Sequence, residues 1–320
     1  MANKKVLVMG ATGFIGRNIV ERLCGRDDLE LYGTYFRTKP PEPLAGNSKI
    51  ELIQADLTAR DAVEQAVAGK DIVIQAAAVT TGARDTLLRP YIHVTDNAVM
   101  NALIFRAAFE SKVRQVIFFS CTSMYSEQKK PVREEDFDSR IIDKYFGVGW
   151  TKVYNEKMCE FYSRISKTMY AAIRHSNIYG PHDKFDLDRS HVFGATVTKV
   201  MTANDGKVVV WGDGSEKRDL LYISDLVDFV ELLMERQQTP FELVNLGCGN
   251  SVSIKQLVEK IIEVSGREIA IEYDLGKPTI GFNLTLDVRK AQTTYGWQSR
   301  ISLKEGIQRT LSWYKENIRS

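Results

Sequence analysis

Gly10-Ala11-Thr12-Gly13-Phe14-Ile15-Gly16 follows a short apolar run, Lys5–Met9, and precedes an amphipathic stretch, Phe14–Cys24. A chain that must reverse tightly, admit an anion against its backbone and pack a helix closely on a strand disfavours a Cβ at each such point. The unpaired N–H groups of the helix start then attract phosphate. The turn is read as a dinucleotide cradle in which Gly10, Thr12, Gly13, Phe14, Ile15 and Gly16 touch the cofactor. The end of the second strand selects the dinucleotide. A carboxylate there suits the 2′-hydroxyl of NAD and an arginine the 2′-phosphate of NADP. The run Gly33-Thr34-Tyr35-Phe36-Arg37-Thr38-Lys39 has no acid before Glu42, so Arg37 favours NADP, with NAD kept as the alternative. Asp56, in Gln54-Ala55-Asp56-Leu57, either reaches the adenine amino group or caps the following helix.

The elements that must position this turn alternate. Strands are expected at Lys5–Met9, Leu29–Phe36, Ile50–Ile53, Ile72–Ala76, Gln115–Ser120 and Met169–Arg174, with helices near Arg60–Val67, Tyr91–Glu110 and Trp150–Ser166. Such alternation predicts an α/β fold, a doubly wound parallel sheet of Rossmann type with a smaller C-terminal α/β lobe for substrate. The dinucleotide domain is expected over 1–177 with about 218–247, and the substrate lobe over about 178–217 with 248–320. Asn177–Ser190 reads as an excursion from the sheet. The stretch 37–48, with Pro40, Pro41, Pro43 and Gly46, reads as a surface loop.

Composition narrows the class. The chain has 320 residues, 44% of them hydrophobic, enough for a sizeable core. Lys and Arg number 43 against 41 Asp and Glu, a net charge of +2 that gives no reason to expect nucleic acid or a membrane surface. No apolar run approaches the roughly 18–20 residues of a membrane span. The glycines at 10, 13 and 16 cut the N-terminal apolar run too early for a signal peptide. Cys24, Cys121, Cys159 and Cys248 are dispersed, which points to a reduced cytoplasmic compartment. With four histidines at no ligand spacing, no metal site is expected.

The motifs, taken in order, resemble an extended short-chain dehydrogenase/reductase, the nucleotide-sugar epimerase/dehydratase family. They are GATGFIG at 10–16, ADL at 55–57, AAA at 76–78, Asn97, FFSCTSMY at 118–125, Lys152 with Glu156, RHSNIYGP at 174–181, WGDGSEKRDLLYISDL at 211–226 and NLGCGNSVSI at 245–254. The resemblance adds Leu57, Ala76 and Lys152 to the cofactor contacts. Tyr179–Phe185 followed by Ser190-His191-Val192 is similar to the GDP-L-fucose synthase-like ketoreductase/epimerases. That similarity implies a nucleoside-diphosphate 4-keto-6-deoxy sugar as substrate. It also implies His191 as an acid/base, and Asn177, Trp211 and Arg218 as substrate contacts, Arg218 on the diphosphate. Family members often pair through two long helices, here Tyr91–Glu110 and Trp150–Ser166, so a homodimer is expected.

One position departs from the family pattern. A phenol with pKa near 10 exchanges a proton near neutral pH when an ammonium lies beside it, one helical turn on. Four residues before Lys152 stands Val148, which moves no proton. Cys121 replaces the family's Ser/Thr, and Ser123 stands where the subgroup has a catalytic cysteine. Three groups remain as replacements. Tyr145 lies two turns, about 10 Å, before Lys152, and Gly147 and Gly149 could bend the chain to bring it closer. Tyr125 borders the nicotinamide pocket, and His191 could donate directly. The expected enzyme reduces or epimerises the keto sugar. The alternatives are a non-catalytic NADP-binding sensor or subunit on the same scaffold, or a nucleotide-sugar dehydratase.

Overall fold

A computed structural model describes residues 3–80, 88–187, 189–277, 279 and 281–318. The chain opens with β1 (Lys4–Met9), α1 (Phe14–Leu23), β2 (Leu29–Tyr35), α2 (Glu42–Ala45), β3 (Ile50–Gln54), α3 (Arg60–Val67), β4 (Ile72–Gln75), α4 (Thr95–Glu110), β5 (Gln115–Phe119), α5 (Phe146–Ile165) and β6 (Met169–His175). There follow β7 (Asn177–Tyr179), α6 (Val192–Thr202), β8 (Lys207–Trp211), β9 (Lys217–Arg218), β10 (Leu220–Tyr222), α7 (Ile223–Arg236) and β11 (Phe241–Leu246). The chain finishes with β12 (Val252–Ser253), α8 (Ile254–Ser265), β13 (Ala270–Asp274), α9 (Arg289–Tyr295) and α10 (Leu303–Asn317).

Seven strands form one sheet in the order β11-β6-β5-β4-β1-β2-β3, every neighbour parallel. Strand β1 explains why a continuous apolar run was needed. Val6 and Val8 feed the core under α1 and α7, while Leu7 and Met9 feed the core under α3 and α4. A strand buried on both faces loses the polar alternation of a half-exposed one. The order reverses between β1 and β4, and such a switch point leaves a crevice at the carboxyl ends of the strands. The expected α/β doubly wound sheet is thus present.

Among the described residues three two-stranded sheets lie outside it: β7 with β10, β9 with β12, and β8 with β13. The second half of the chain builds its helix ends conventionally. Ser253 and Gln256 form a capping box on α8, and Gly266 closes that helix in the left-handed conformation.

Four expectations need correction. The 37–48 loop contains the short helix α2, which Pro41 and Pro43 permit because the first helical turn needs few internal N–H donors. Tyr91–Glu110 is not one helix, since a 3-10 turn, Pro90–His93, precedes α4. Helix α5 begins at Phe146, ahead of Trp150. The Asn177–Ser190 excursion starts with a strand, because Asn177–Tyr179 pairs with Leu220–Tyr222.

Candidate active site

The glycine turn has the geometry that its sequence demanded. Gly10 sits at φ +77°, and a Cβ there would lie 2.8 Å from Ala77 Cα. A Cβ at Gly13 would lie 3.3 Å from Gly10 O, and one at Gly16 would run into that same carbonyl. Gly33 serves the turn from β2, where a Cβ would be 2.7 Å from Ala11 Cβ. The turn is held by Gly10 N donating to Thr34 Oγ1 at 3.0 Å and Ala11 N to Thr34 O at 2.8 Å. Helix α1 starts with no side chain capping it and no acid in its first turn, so its N–H groups and dipole face the switch-point crevice. This cradle, which side chains would fill, fits a dinucleotide pyrophosphate.

Around the cradle, Thr12, Phe14 and Ile15 are half-buried, Gly13 is exposed, and Leu57 is buried. Ala76 N donates to Met9 O at 3.2 Å. Arg37 is exposed at the end of β2, its guanidinium carbon 5.0 Å from the centre of the Phe36 ring. Asp56 takes the structural option: its Oδ1 accepts from Thr58 N at 3.0 Å and Thr58 Oγ1 at 2.7 Å. Those two bonds, helped by Arg37, hold its pKa below the usual carboxylate value.

Beyond β5, Cys121 Sγ and Ser123 Oγ lie 2.9 Å apart. Lys152 on α5 donates to Phe119 O at 2.7 Å and sits 4.9 Å from the centre of the Phe118 ring. Burial pulls its pKa down, with the negative potential of Cys121 and Glu156 opposing. Val148 borders a cavity of about 260 Å³ together with Tyr91 and His93. The neighbouring Ser120 Oγ donates to Glu156 Oε1 at 2.5 Å. Glu156 is also gripped by Arg174, Nε at 2.9 Å and Nη2 at 2.6 Å.

Tyr125 is removed from the site. Its hydroxyl donates to Asn245 Oδ1 at 2.8 Å and accepts from Arg174 Nη1 at 2.8 Å, and burial pushes its pKa up. Tyr145 stands just ahead of the helix that carries Lys152. It ends a 3-10 turn, Asp143–Tyr145, and α5 begins after it without a bend. The two glycines are there for close packing. A Cβ at Gly147 would lie 2.9 Å from Val94 Cγ2, and one at Gly149 would lie 3.1 Å from Ser123 O. The Tyr145 ring stands edge-on to Phe282 at 6.3 Å, and its hydroxyl makes no hydrogen bond among the described residues. Burial raises its pKa, partly offset by Arg218, with Cys121 and Glu216 adding to the rise.

The histidines divide. His182 is structural, bonded to Glu21 Oε2 at 3.1 Å and edge-on to Trp313. His175 has Nδ1 at 2.8 Å from Ser176 O, which makes Nδ1 the donor and leaves Nε2 without the proton. Burial lowers its pKa to about 4, with Lys152 and His191 adding repulsion. His191 caps α6 by its backbone only, its side chain making no cap bond. Crowding by protein, with Lys184 and His93 adding charge, lowers its pKa to about 4. The ring is nonetheless exposed, so water on its open face limits that lowering. Sequence inspection had set His175 aside and overlooked His93, both of which belong to this histidine–lysine group.

The substrate-side candidates are more occupied. Asn177 Nδ2 donates to Asp219 O at 3.2 Å. Trp211 is 41% exposed, with Lys199 Nζ 5.6 Å from its ring centre. Arg218 gives Nη1 to Phe282 O at 2.6 Å and Lys217 O at 2.9 Å, and Nη2 to Glu216 Oε2 at 2.6 Å. Glu216 and Phe282 were not foreseen. The only sequence sign was an acid two places before the arginine. Among the described residues no group of three or more His, Cys, Asp or Glu converges to hold a metal ion, and no helix is long and apolar enough to cross a membrane.

A parallel seven-stranded sheet with a glycine cradle at its switch point defines a dinucleotide-binding α/β protein. Residues 6–247 match the NAD dependent epimerase/dehydratase family, and the chain belongs to it. It is similar to the probable GDP-L-fucose synthase 1 of Oryza sativa subsp. japonica, 31% identical over 323 residues, 98% of this chain and 93% of that protein. The GDP-L-fucose synthase of Escherichia coli K12 is 27% identical over 332 residues, 99% and 98% of the two chains. Among solved structures, the UDP-glucose 4-epimerase of Thermotoga maritima, bound to UDP-glucose, superposes with a TM-score of 0.86 at 24% identity, over 98% of this chain and 100% of that one.

Proposed function

We propose that the protein is an NADP(H)-dependent enzyme that reduces or epimerises a nucleoside-diphosphate 4-keto-6-deoxy sugar. The observation that carries this reading is the convergence of Lys152, the Cys121–Ser123 pair, His175 and His191 beside a cradle shaped for a pyrophosphate. Bound nicotinamide supplies or accepts a hydride. Lys152 holds the nicotinamide ribose and polarises the sugar's keto oxygen, which favours enolisation beside it. In epimerisation His191, neutral at physiological pH, takes the carbon-bound proton and Ser123, hydrogen-bonded to Cys121, serves the opposite face; in reduction the keto oxygen takes a proton from Ser123, which recovers one from water, as hydride adds to the carbon. Arg37 meets the 2′-phosphate, and Trp211, Arg218 and Asn177 meet the nucleotide sugar. In this reading residues 1–177 with about 218–247 carry the dinucleotide, and about 178–217 with 248–320 carry the substrate.

The same reading includes a homodimer. Phe146, Trp150, Tyr154, Phe161 and Ile165 on α5 and Val99 on α4 leave large apolar side chains exposed at helical spacing. Burying such a stripe against a second copy removes it from water.

The test incubates the protein with NADPH and GDP-, dTDP- and UDP-linked 4-keto-6-deoxy sugars. Loss of NADPH, or solvent deuterium entering the sugar, is expected with one of them. Neither outcome with any of them refutes the reading. A second reading, a non-catalytic dinucleotide-binding subunit, is favoured by Val148 standing where a proton donor is needed. NADP binding without any nucleotide-sugar binding would select it.

A further inference from the structure

Arg218 does not face an open site. Glu216 Oε2 accepts from its Nη2 at 2.6 Å while Glu216 Oε1 accepts from Gly281 N at 2.5 Å. Arg218 Nη1 holds Phe282 O at 2.6 Å, and Lys217 N donates to Asn283 Oδ1 at 2.7 Å. Residues 216–218 therefore grip residues 281–283 one for one. The ion pair is largely shielded, the Arg218 and Glu216 side chains being 15% and 17% exposed. From the other side, Asn283 Nδ2 donates to Glu127 Oε1 at 2.7 Å, and the Phe282 ring meets Tyr145. The strap 281–283 thus closes between Arg218 and the turn that precedes α5.

A guanidinium edge and a backbone N–H converging on paired oxygens are the donors that a phosphate uses, and here a carboxylate holds both. Two anions cannot share them. A phosphate entering beside the Glu216 carboxylate meets a like charge well inside the screening length. Arg218 Nη1 is taken by two carbonyls and Nη2 by Glu216, so a phosphate that draws on Nη2 together with the Gly281 N–H takes the same donors that Glu216 holds.

We infer that Glu216 is a resident competitor for the substrate's diphosphate: a nucleoside diphosphate displaces its carboxylate from Arg218 and Gly281, and with it one of the three holds on the 281–283 strap. This rests on the reading of Arg218 as the diphosphate contact. Loosening of the strap reaches Tyr145 through the Phe282 ring that it meets edge-on. Affinity for the nucleotide is set below what Arg218 alone would give, which favours release of a nucleotide-linked product.

The experiment measures dissociation constants of GDP and UDP by titration calorimetry on the full chain saturated with NADP, for the unaltered protein, Glu216→Gln and Arg218→Met. Glu216→Gln keeps the shape and removes the charge. It should bind at least one nucleotide about five- to twentyfold more tightly, while Arg218→Met weakens binding more than tenfold. Glu216→Ala is the second variant should Glu216→Gln fail to unfold as a cooperative native protein, and the same tightening is expected. Unchanged or weaker binding in the charge-removed variant, with the unaltered protein still binding, overturns the competitor role and leaves the proposed function standing. If neither the unaltered protein nor the Glu216 variant binds either nucleotide, the nucleotide-sugar reading itself fails and takes this inference with it.

Discussion

Replacing Arg174 by Met tests what fixes the end of β5, where Cys121 and Ser123 emerge. The Arg174 and Glu156 side chains are each only 4% exposed and meet at 2.6 Å. Glu156 has three donors, Arg174 Nε and Nη2 and Ser120 Oγ. Arg174 also serves Tyr125 Oη and Glu134 O. Removing the guanidinium strands a carboxylate with one hydroxyl for company and takes a donor from a buried phenol. Breaking one side of a buried pair costs about 3–5 kcal/mol. Replacing Glu156 by Leu costs a similar amount, because it strands the guanidinium. The double variant Arg174→Met with Glu156→Leu removes both charges; Tyr125 keeps Asn245, the Glu134 carbonyl is only part-buried, and the fully buried Ser120 hydroxyl left without Glu156 costs about 1–3 kcal/mol. Coupling between the two sites should then reach several kcal/mol, well beyond the few tenths expected of independent positions.

The assay is urea unfolding followed by circular dichroism, with the midpoint and slope recorded for all four proteins. Near-additive losses would refute the reasoning, since they would mean that the stranded partner is solvated rather than buried. The expected functional signature separates the two ends of the network. Single variants should lose turnover along with stability, because Ser120 anchors the strand end to Glu156. The double variant should recover stability but not full turnover, as Ser120 stays unanchored.

Gly10→Ala should cost dinucleotide binding more than tenfold and lower the melting temperature, because a methyl group at φ +77° meets Ala77 Cα at 2.8 Å. Arg37→Met should weaken NADP binding by roughly ten- to a hundredfold while leaving NAD binding nearly unchanged, as expected for lost charge-assisted hydrogen bonds of about 1.5–3 kcal/mol, measured by fluorescence titration. His175 is held at about 4 in the fold against 6.5 in the open chain, so the unfolded state takes up its proton first. Its contribution is complete above about 6.5 and is lost as pH falls toward 4; His175→Gln should flatten the urea midpoint over that window by up to one proton. Phe161→Glu should turn the proposed dimer into a monomer in sedimentation velocity, since a charge then stands in the exposed apolar stripe of α5; a monomeric unaltered protein refutes the dimer.

The sheet and the cradle were legible because their causes are local. A strand buried on both faces must be continuously apolar, and a backbone that approaches phosphate must shed its Cβ atoms, so Val6–Met9 and the three glycines carry their reasons within a few residues. The proton-transfer site was not, because its causes are long-range. Tyr125 and Tyr145 look equivalent on paper, both aromatic and both close to the lysine-bearing helix. Only tertiary packing separates them, by placing Arg174 and Asn245 around one hydroxyl and leaving the other unbonded. The glycines at 147 and 149 suggested a bend because glycine is flexible. In the fold they admit Val94 and the Ser123 carbonyl against an unbroken helix, and the Tyr145 ring ahead of that helix meets Phe282. Glu216 shows the same limit from the other side. An arginine in a family motif announces an anion, but the anion that it meets first is two residues before it in the chain. Only the arrival of residues 281–283 from far along the chain reveals that this carboxylate is a fastening as well as a charge. What a short-range pattern declares, therefore, is which ligand the scaffold can accept; which group moves the proton is decided by which polar atoms the rest of the fold leaves unclaimed.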